Sequence, residues 1–213
     1  MRIALINESS QAAKNKLIFD SLKEIAEPLG HEVFNCGMNE TDPDYSINYI
    51  DAGLLAAILL NTHAVDFVIT GCGTGEGACM ALNMFPNVYC GYVKEPSDAY
   101  LFSQINAGNA ISLPFAKDFG WCAEVNLKFV FKELFSCVHG KGYPQERGEV
   151  QKEFRDYFYQ VKQMVSDDLL VILHRMDREM VQRVTSGRNF RLVFEKYVQS
   201  KNISEFIHQL TEE

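Results

Sequence analysis

The chain has 213 residues, of which 47% are hydrophobic and 23% are charged. This composition is typical of a globular protein with a substantial core and excludes a disordered or low-complexity chain. The formal net charge of −8, with no basic stripe to offset it, argues against nucleic acid and anionic membranes as partners. No apolar run reaches the length of a membrane-spanning helix.

Cysteine usage and the N-terminus predict a cytoplasmic protein. Six cysteines are scattered along the chain without a C-x-x-C pair, which indicates reduced thiols rather than a disulfide framework. Met1 and Arg2 lead directly into an apolar segment, so we expect no signal peptide ahead of the fold. No cluster of His, Cys, Asp and Glu has the spacing of a metal site, so we expect neither a metal nor another cofactor.

Apolar, β-branched runs alternate with helical patterns through the first 135 residues. Strands are predicted over residues 2–6, 32–36, 66–70, 87–93 and 110–113. Helices are predicted over residues 12–29, 48–62, 78–84, 96–104 and 120–135, and a loop over residues 42–45. Five strand–helix repeats predict an α/β fold with a doubly wound, five-stranded parallel sheet, Rossmann-like in arrangement.

The sequence changes in character after Phe135. A glycine-rich loop covers residues 138–147, and no strand pattern follows it. Helices are predicted over residues 150–166, 168–185, 188–199 and 203–211. We therefore divide the chain into an α/β domain over residues 1–148 and a helical C-terminal extension over residues 149–213, packed on that domain or on a partner subunit.

The most informative stretch is a buried strand that breaks into a glycine loop before the next helix begins. Its glycines are Gly71, Gly73, Gly75 and Gly77. Such a loop leaves backbone N–H groups unpaired, and the helix dipole adds positive charge, so a small anion or an oxyanion can bind there. Cys72, Thr74 and Glu76 lie between the glycines, and each of these side chains can move a proton.

The glycine spacing excludes two common phosphate loops. A dinucleotide-binding loop needs glycine where Glu76 stands, and the chain has no Gly-Lys-Ser/Thr sequence of the Walker type. The remaining alternative is a bare turn that needs only positive φ angles. Four alternating glycines with reactive groups between them favour a functional site over that alternative.

Polar residues next to other strands are further candidates for the site. Glu8 and Ser9 follow the first strand, where ligands of open α/β sheets bind; the alternatives are a surface carboxylate and a helix cap at Ser9 or Ser10. Asn106 and Asn109 precede the fifth strand, where we expect them to face the crevice. We expect that crevice to lie above strands one, three and four.

The loop after the sheet supplies two more candidates. Arg147 lies in a glycine-rich context and is a candidate anion clamp, with pairing to Glu146 or Glu149 as the alternative. His139 precedes it in the same loop and is a weaker candidate for the site.

The glycine loop, followed by Ala81-x-Asn83-x-Phe85-Pro86, resembles the active-site loop of type B ribose-5-phosphate isomerases and the related galactose-6-phosphate isomerases. The resemblance covers roughly residues 1–150. It extends to Glu95-Pro96-x-x-Ala99-x-Leu101, to Gln104-x-Asn106-x-x-Asn109 and to Pro144-Gln145-Glu146-Arg147.

This resemblance implies a homodimeric aldose–ketose isomerase that acts through an enediolate without a metal, with its site near the subunit interface. In the family pattern Cys72 is the base that moves a proton between neighbouring carbons, and Thr74 assists ring opening. The loop N–H groups of residues 73–77 hold the enediolate oxygen. In another branch the base is a glutamate at the position of Glu76; we favour Cys72 because Thr74 accompanies it, as in the cysteine branch.

The sequence departs from the family pattern at three places. The Asp-His pair after the first strand is Glu8-Ser9, the ring-opening histidine is Ile105, and one of two phosphate-binding arginines is Tyr143. An open-chain substrate with a carboxylate needs neither a ring-opening histidine nor a second phosphate-binding arginine. The resemblance is therefore strongest to the family's isomerases of 4-deoxy-5-hexosulose uronate, which share the long C-terminal extension and the Gln-Ile-Asn sequence.

Two alternatives stay open for the function. One is an isomerase of a sugar phosphate, of the ribose 5-phosphate or galactose 6-phosphate type. The other is a non-catalytic sugar-phosphate-binding subunit or sensor, which the losses at Ser9 and Ile105 allow. The retained Cys72-Gly73-Thr74 sequence argues against that second alternative.

Overall fold

The computed structural model describes residues 1–39 and 45–212, and its five strands form one parallel sheet. The strands are β1 (Arg2–Asn7), β2 (Glu32–Asn35), β3 (Phe67–Cys72), β4 (Cys90–Tyr92) and β5 (Ala110–Pro114). Their order across the sheet is β2-β1-β3-β5-β4. The predicted α/β fold class is confirmed, whereas most of the loop predicted over residues 42–45 lies outside the described residues.

Helices cover both faces of the sheet, which explains why β3 and β5 are buried along their whole length. The helices of this part of the chain are α1 (Asn15–Ala26), α2 (Tyr49–Asn61), α3 (Glu76–Asn83), α4 (Pro96–Leu101) and α5 (Ala123–Phe135). On β1, Ile3 and Leu5 pack towards α1 and α5, whereas Ala4 and Ile6 pack towards α2. This alternation is the period of two that a strand buried on both faces imposes.

Five further helices follow the sheet: α6 (Gly148–Met164), α7 (Leu169–Arg175), α8 (Arg178–Thr185), α9 (Arg188–Tyr197) and α10 (Lys201–Glu212). The single helix predicted over residues 168–185 is wrong, because the backbone is extended at Met176 between α7 and α8. The Asp177 carboxylate accepts a hydrogen bond from the Met180 N–H at 2.9 Å and so caps α8. An aspartate in a helical pattern can start a new helix in this way.

The last four helices pack on the same side of the sheet as α2 and share one apolar core with it. Arg183 of α8 donates to the Asp51 carboxylate at 2.9 Å, and Asp51 is only 2% exposed. In contrast, α6 contains no buried residue. None of the helices in residues 1–39 and 45–212 is long and apolar enough to cross a membrane.

Candidate active site

The glycine loop lies where the carboxyl ends of three strands meet. Asn7 of β1 is level with Gly71 of β3, and Cys72 is level with Pro114 of β5. Glu8, the next residue after β1, therefore comes close to the level of Cys72. The crevice lies above β1, β3 and β5, so the prediction that it includes strand four is wrong.

The backbones of β3 and β5 approach each other closely at the glycine loop. A Cβ on Gly71 would lie 2.3 Å from the Leu113 carbonyl oxygen, and one on Gly75 would lie 2.7 Å from the Leu113 carbonyl carbon. Only glycine allows β5 to approach β3 so closely. Gly75 also has a φ of +80° and caps α3, and its carbonyl accepts a hydrogen bond from the Ser112 hydroxyl at 2.6 Å.

Cys72 is the reactive side chain at the centre of the loop. It is 8% exposed, and its Sγ accepts a hydrogen bond from the Gly75 N–H at 3.2 Å. The Thr74 Oγ1 lies 3.9 Å from the same sulfur and accepts a hydrogen bond from the Glu76 N–H at 3.3 Å. The thiol thus lies within hydrogen-bonding reach of a backbone donor and of a hydroxyl.

The loop also retains unused backbone donors. Its Gly73 carbonyl accepts hydrogen bonds from the Ala116 and Lys117 N–H groups, both at 2.9 Å, which fixes the loop from outside. Within the described residues, no acceptor bonds the N–H groups of Gly73, Thr74 or Gly77. Unpaired N–H groups next to a helix N-terminus form a site for an oxyanion.

Glu76, the alternative base, has different surroundings. Its side chain is 62% exposed and forms an ion pair with Lys117 at 3.8 Å. An exposed pair of this kind is weak and leaves the carboxylate largely solvated. The geometry therefore favours Cys72 over Glu76 as the group next to the oxyanion site.

Glu8 begins a polar network beside the loop. It is buried, and its carboxylate accepts hydrogen bonds from the Ser10 N–H at 2.7 Å and from the Ser10 hydroxyl. Glu8 thus caps the 3-10 helix Ser9–Lys14, so the alternative of a cap at Ser9 or Ser10 is wrong. The hydrogen-bond network continues to Gln11, whose Nε2 donates to Ser10 Oγ at 2.8 Å. The Lys14 ammonium in turn donates to Gln11 Oε1 at 2.9 Å.

Two residues that the sequence did not point to belong to this crevice. Lys14 also donates to the carbonyl of Phe115, the residue that follows β5. Gln11 Nε2 lies 3.8 Å from the position that a Cβ on Gly73 would take. Ser9 is exposed, and its N–H donates to the Ile47 carbonyl at 2.8 Å, which ties β1 to the segment before α2.

Asn106 and Asn109 lie near the opposite, amino end of the strands in their own chain. Asn109 precedes β5; its Oδ1 accepts from the Tyr89 N–H at 2.8 Å, and its Nδ2 donates to the Asn87 carbonyl at 2.7 Å. Five residues of strand place it roughly 16 Å from the level of Cys72. These two asparagines therefore do not face the crevice of their own chain.

The loop after the sheet also packs near the amino end of the strands, against the π-helix Phe102–Asn106 that follows α4. The Gly140 N–H donates to the Ser103 carbonyl at 2.8 Å, and the Tyr143 ring lies edge-on to Tyr100, 5.7 Å between centroids. Arg147 is exposed and forms no ion pair with any residue in the described ranges, so the pairing with Glu146 or Glu149 is absent.

His139 packs away from the crevice of its own chain. The His139 ring packs against Phe67, the first residue of β3, and burial lowers the pKa of its imidazole. It therefore lies near the amino end of the sheet, away from Cys72 of its own chain.

Among the residues described, no three His, Cys, Asp or Glu side chains are placed to hold a metal ion together.

The comparison with known proteins assigns the family. A family model described as Ribose/Galactose Isomerase matches residues 3–121. The chain belongs to this family. No curated protein matches the chain.

Solved structures resemble this isomerase, two of them over nearly its whole length. A 4-deoxy-L-threo-5-hexosulose-uronate ketol-isomerase complexed with a tartrate is 46% identical over 100% of both chains, with a TM-score of 0.98. A ribose-5-phosphate isomerase from Vibrio parahaemolyticus is 46% identical over 99% of both chains, with a TM-score of 0.96. A type B ribose 5-phosphate isomerase from Trypanosoma cruzi shares the fold at 16% identity, over 77% of this chain and 99% of that one, with a TM-score of 0.64. The family and the two full-length neighbours make the chain an aldose–ketose isomerase.

Gly71→Ala tests whether the close contact of β3 and β5 supports this fold. The added Cβ would lie 2.3 Å from the Leu113 carbonyl oxygen, so we expect the free energy of unfolding to fall by about 3 kcal/mol or more. Gly73→Ala is the matched control, because its nearest neighbour, Ala116 Cβ, would be 3.7 Å away; we expect a change below about 1 kcal/mol. Urea denaturation followed by circular dichroism measures both, and equal stabilities would contradict the packing argument.

Proposed function

We propose that this isomerase interconverts the aldose and ketose forms of an open-chain 4-deoxy-5-hexosulose uronate through an enediolate, with Cys72 as the base. The observation that carries the proposal is the Cys72 sulfur, 3.2 Å from the Gly75 N–H, in a loop whose Gly73, Thr74 and Gly77 N–H groups are unpaired among the described residues. The 46% identical uronate ketol-isomerase supports the choice of substrate.

The chemistry needs one base and one oxyanion site. Cys72 removes the proton from the carbon next to the carbonyl and returns it to the neighbouring carbon. Meanwhile the loop N–H groups stabilise the negative charge that develops on the carbonyl oxygen. Thr74 lies beside the thiol, and its hydroxyl is within reach of a substrate oxygen in this scheme.

The substrate class rests on what this chain lacks relative to the family pattern. Ser9 and Ile105 stand where the family pattern has histidines, and an open-chain uronate needs no group to open a ring. Lys14 brings a positive charge to the Glu8–Gln11 network, which suits a carboxylate. The six cysteines are free thiols, which fits our proposal that the enzyme works in the cytoplasm.

A sugar phosphate is the second candidate substrate. The ribose-5-phosphate isomerase that covers 99% of the chain is also 46% identical, so sequence identity does not separate the two substrates. The third alternative, a non-catalytic sensor, is not proposed, because the family and both full-length neighbours are isomerases.

Parallel assays on 4-deoxy-5-hexosulose uronate and ribose 5-phosphate test the function. We expect turnover of the uronate, a loss of about 10³-fold in kcat for Cys72→Ser, and a loss below about tenfold for Glu76→Gln. Cys137→Ser, which changes an exposed cysteine after α5, is the matched control and should keep the wild-type rate. Turnover of ribose 5-phosphate alone would overturn the substrate, and a larger loss in Glu76→Gln than in Cys72→Ser would overturn the base.

We propose further that the enzyme works as a homodimer in which the partner supplies Asn106, Asn109, Tyr143 and Arg147 to each crevice. Within one chain these residues lie towards the other end of the sheet from Cys72, which supports contribution from a second copy. Large apolar side chains on α6, on α3 and directly after α3 are more than half exposed, as on surfaces that pack in an interface. They are Met80, Met84, Phe154, Tyr157, Phe158 and Met164.

Mixing two inactive variants tests the shared site. Cys72→Ala and Arg147→Ala are each expected to lose activity when homodimeric. When they are co-expressed, half of the dimers are mixed, and each mixed dimer contains one site with neither change, so we expect about a quarter of the wild-type activity. Mixed dimers that form, as shown by native mass spectrometry, but recover no activity would contradict the shared site.

A further inference from the structure

Tyr49 lies next to the catalytic loop, although it belongs to an element outside it. It is the first residue of α2, and its ring edge lies 3.4 Å from the position that a Cβ on Gly77 would take. The same position is 3.8 Å from Cys72 Sγ. The phenol ring and the thiol therefore both lie within 4 Å of one point on the loop, where Gly77 carries no side chain.

The Tyr49 hydroxyl is available to a ligand. Tyr49 is 43% exposed, and its hydroxyl makes no hydrogen bond to any residue in ranges 1–39 and 45–212. The tyrosine hydroxyls of Tyr45 and Tyr197, in contrast, are bonded to the Val184 carbonyl and to the Glu32 carboxylate. A phenol can both donate and accept a proton in a hydrogen bond.

The position of Tyr49 is fixed from behind by the C-terminal extension. The Asn48 side chain accepts from the Asp51 N–H, and the Asp51 carboxylate accepts from the Asn48 N–H, which holds the first turn of α2. Arg183 of α8 donates to the same buried carboxylate at 2.9 Å. The first turn of α2 is thus held on one side by its capping box and on the other by α8, so the ring is presented to the loop by a rigid element.

Isomerisation leaves a task that neither Cys72 nor the loop N–H groups perform. When the thiolate moves the proton from C2 to C1 of an aldose, O1 must gain a proton and O2 must lose one. This second proton transfer between oxygens needs a group that gives a proton to O1 and takes one from O2.

We propose that Tyr49 is a catalytic residue of this site, whose hydroxyl hydrogen-bonds to the oxygens of the two isomerising carbons and carries the proton from O2 to O1. The phenol gives its proton to O1 and receives the proton of O2, so it is unchanged at the end of the turnover. This inference rests on the proposed isomerase function and adds a group from α2 to it.

Tyr49→Phe tests the inference, because it removes only the hydroxyl and keeps the ring against Gly77. We expect kcat on the uronate to fall about 10²-fold, with KM within a factor of three and the wild-type melting temperature. Tyr197→Phe is the matched control, since it removes a hydroxyl bonded to Glu32 at the amino end of the edge strand β2 and should keep the wild-type kcat.

Two other outcomes separate the inference from the proposed function. If the wild type turns over and Tyr49→Phe keeps kcat within threefold, the role of Tyr49 is overturned and the isomerase stands. If the wild type turns over neither substrate, the proposed function is overturned, and calorimetric titration with tartrate, which has hydroxyls on adjacent carbons, decides on Tyr49. An affinity at least about fivefold weaker in Tyr49→Phe, but not in Tyr197→Phe, supports the contact; an equal affinity overturns it.

Discussion

The candidate site depends on the close approach of β5 to β3 at the glycine loop. Gly71 and Gly75 lie so near the Leu113 backbone that any side chain there would collide with it. This contact holds the carboxyl ends of β3 and β5 together, and the register of β1 with β3 brings the end of β1 to the same level, beside Cys72. It also turns the chain sharply into α3, so the loop N–H groups lie beside the thiol instead of in a strand ladder.

Around this loop, the fold adds groups from three other segments. Glu8 is buried at the end of β1 and begins the hydrogen-bond network that runs to Lys14. The first turn of α2 brings Tyr49 against Gly77. The C-terminal extension holds that turn through the pair of Arg183 with Asp51, so helices far along the chain support the wall of the crevice.

The fold and the loop could be predicted because their signals are local. Short apolar runs that alternate with helical patterns identify strands buried on both faces. The spaced glycines around Cys72 mark a strand that turns into a helix. The strand order could not be predicted, because the contact of Gly71 with Leu113 joins residues 42 positions apart in the sequence. The periodicity of apolar residues also gave no sign that Asp177 would interrupt the helix predicted over residues 168–185, because the capping bond from the Met180 N–H is a polar contact that apolar spacing does not reveal.

Some residues of the candidate site could be predicted from the sequence, and others could not. Cys72, Glu8 and the glycines lie at or just after the ends of strands and could be placed from sequence, whereas Tyr49 starts an apolar helix and resembles an ordinary core residue. Gln11 and Lys14 are distinguished only by the network that Glu8 organises. Asn109 was expected to face the crevice, but its side chain bonds to the backbone around Tyr89 at the other end of the sheet.

Isomerisation of the uronate in D2O tests most directly that the loop around Cys72 supports an enediolate. The account predicts that deuterium enters the carbon that receives the proton in a fraction of the product, because the proton held by Cys72 can exchange with solvent before it is returned. NMR and mass spectrometry detect this deuterium, and we expect Cys72→Ala to form no product. Product that forms at the wild-type rate in Cys72→Ala, with no solvent deuterium in the product of either protein, would contradict the account.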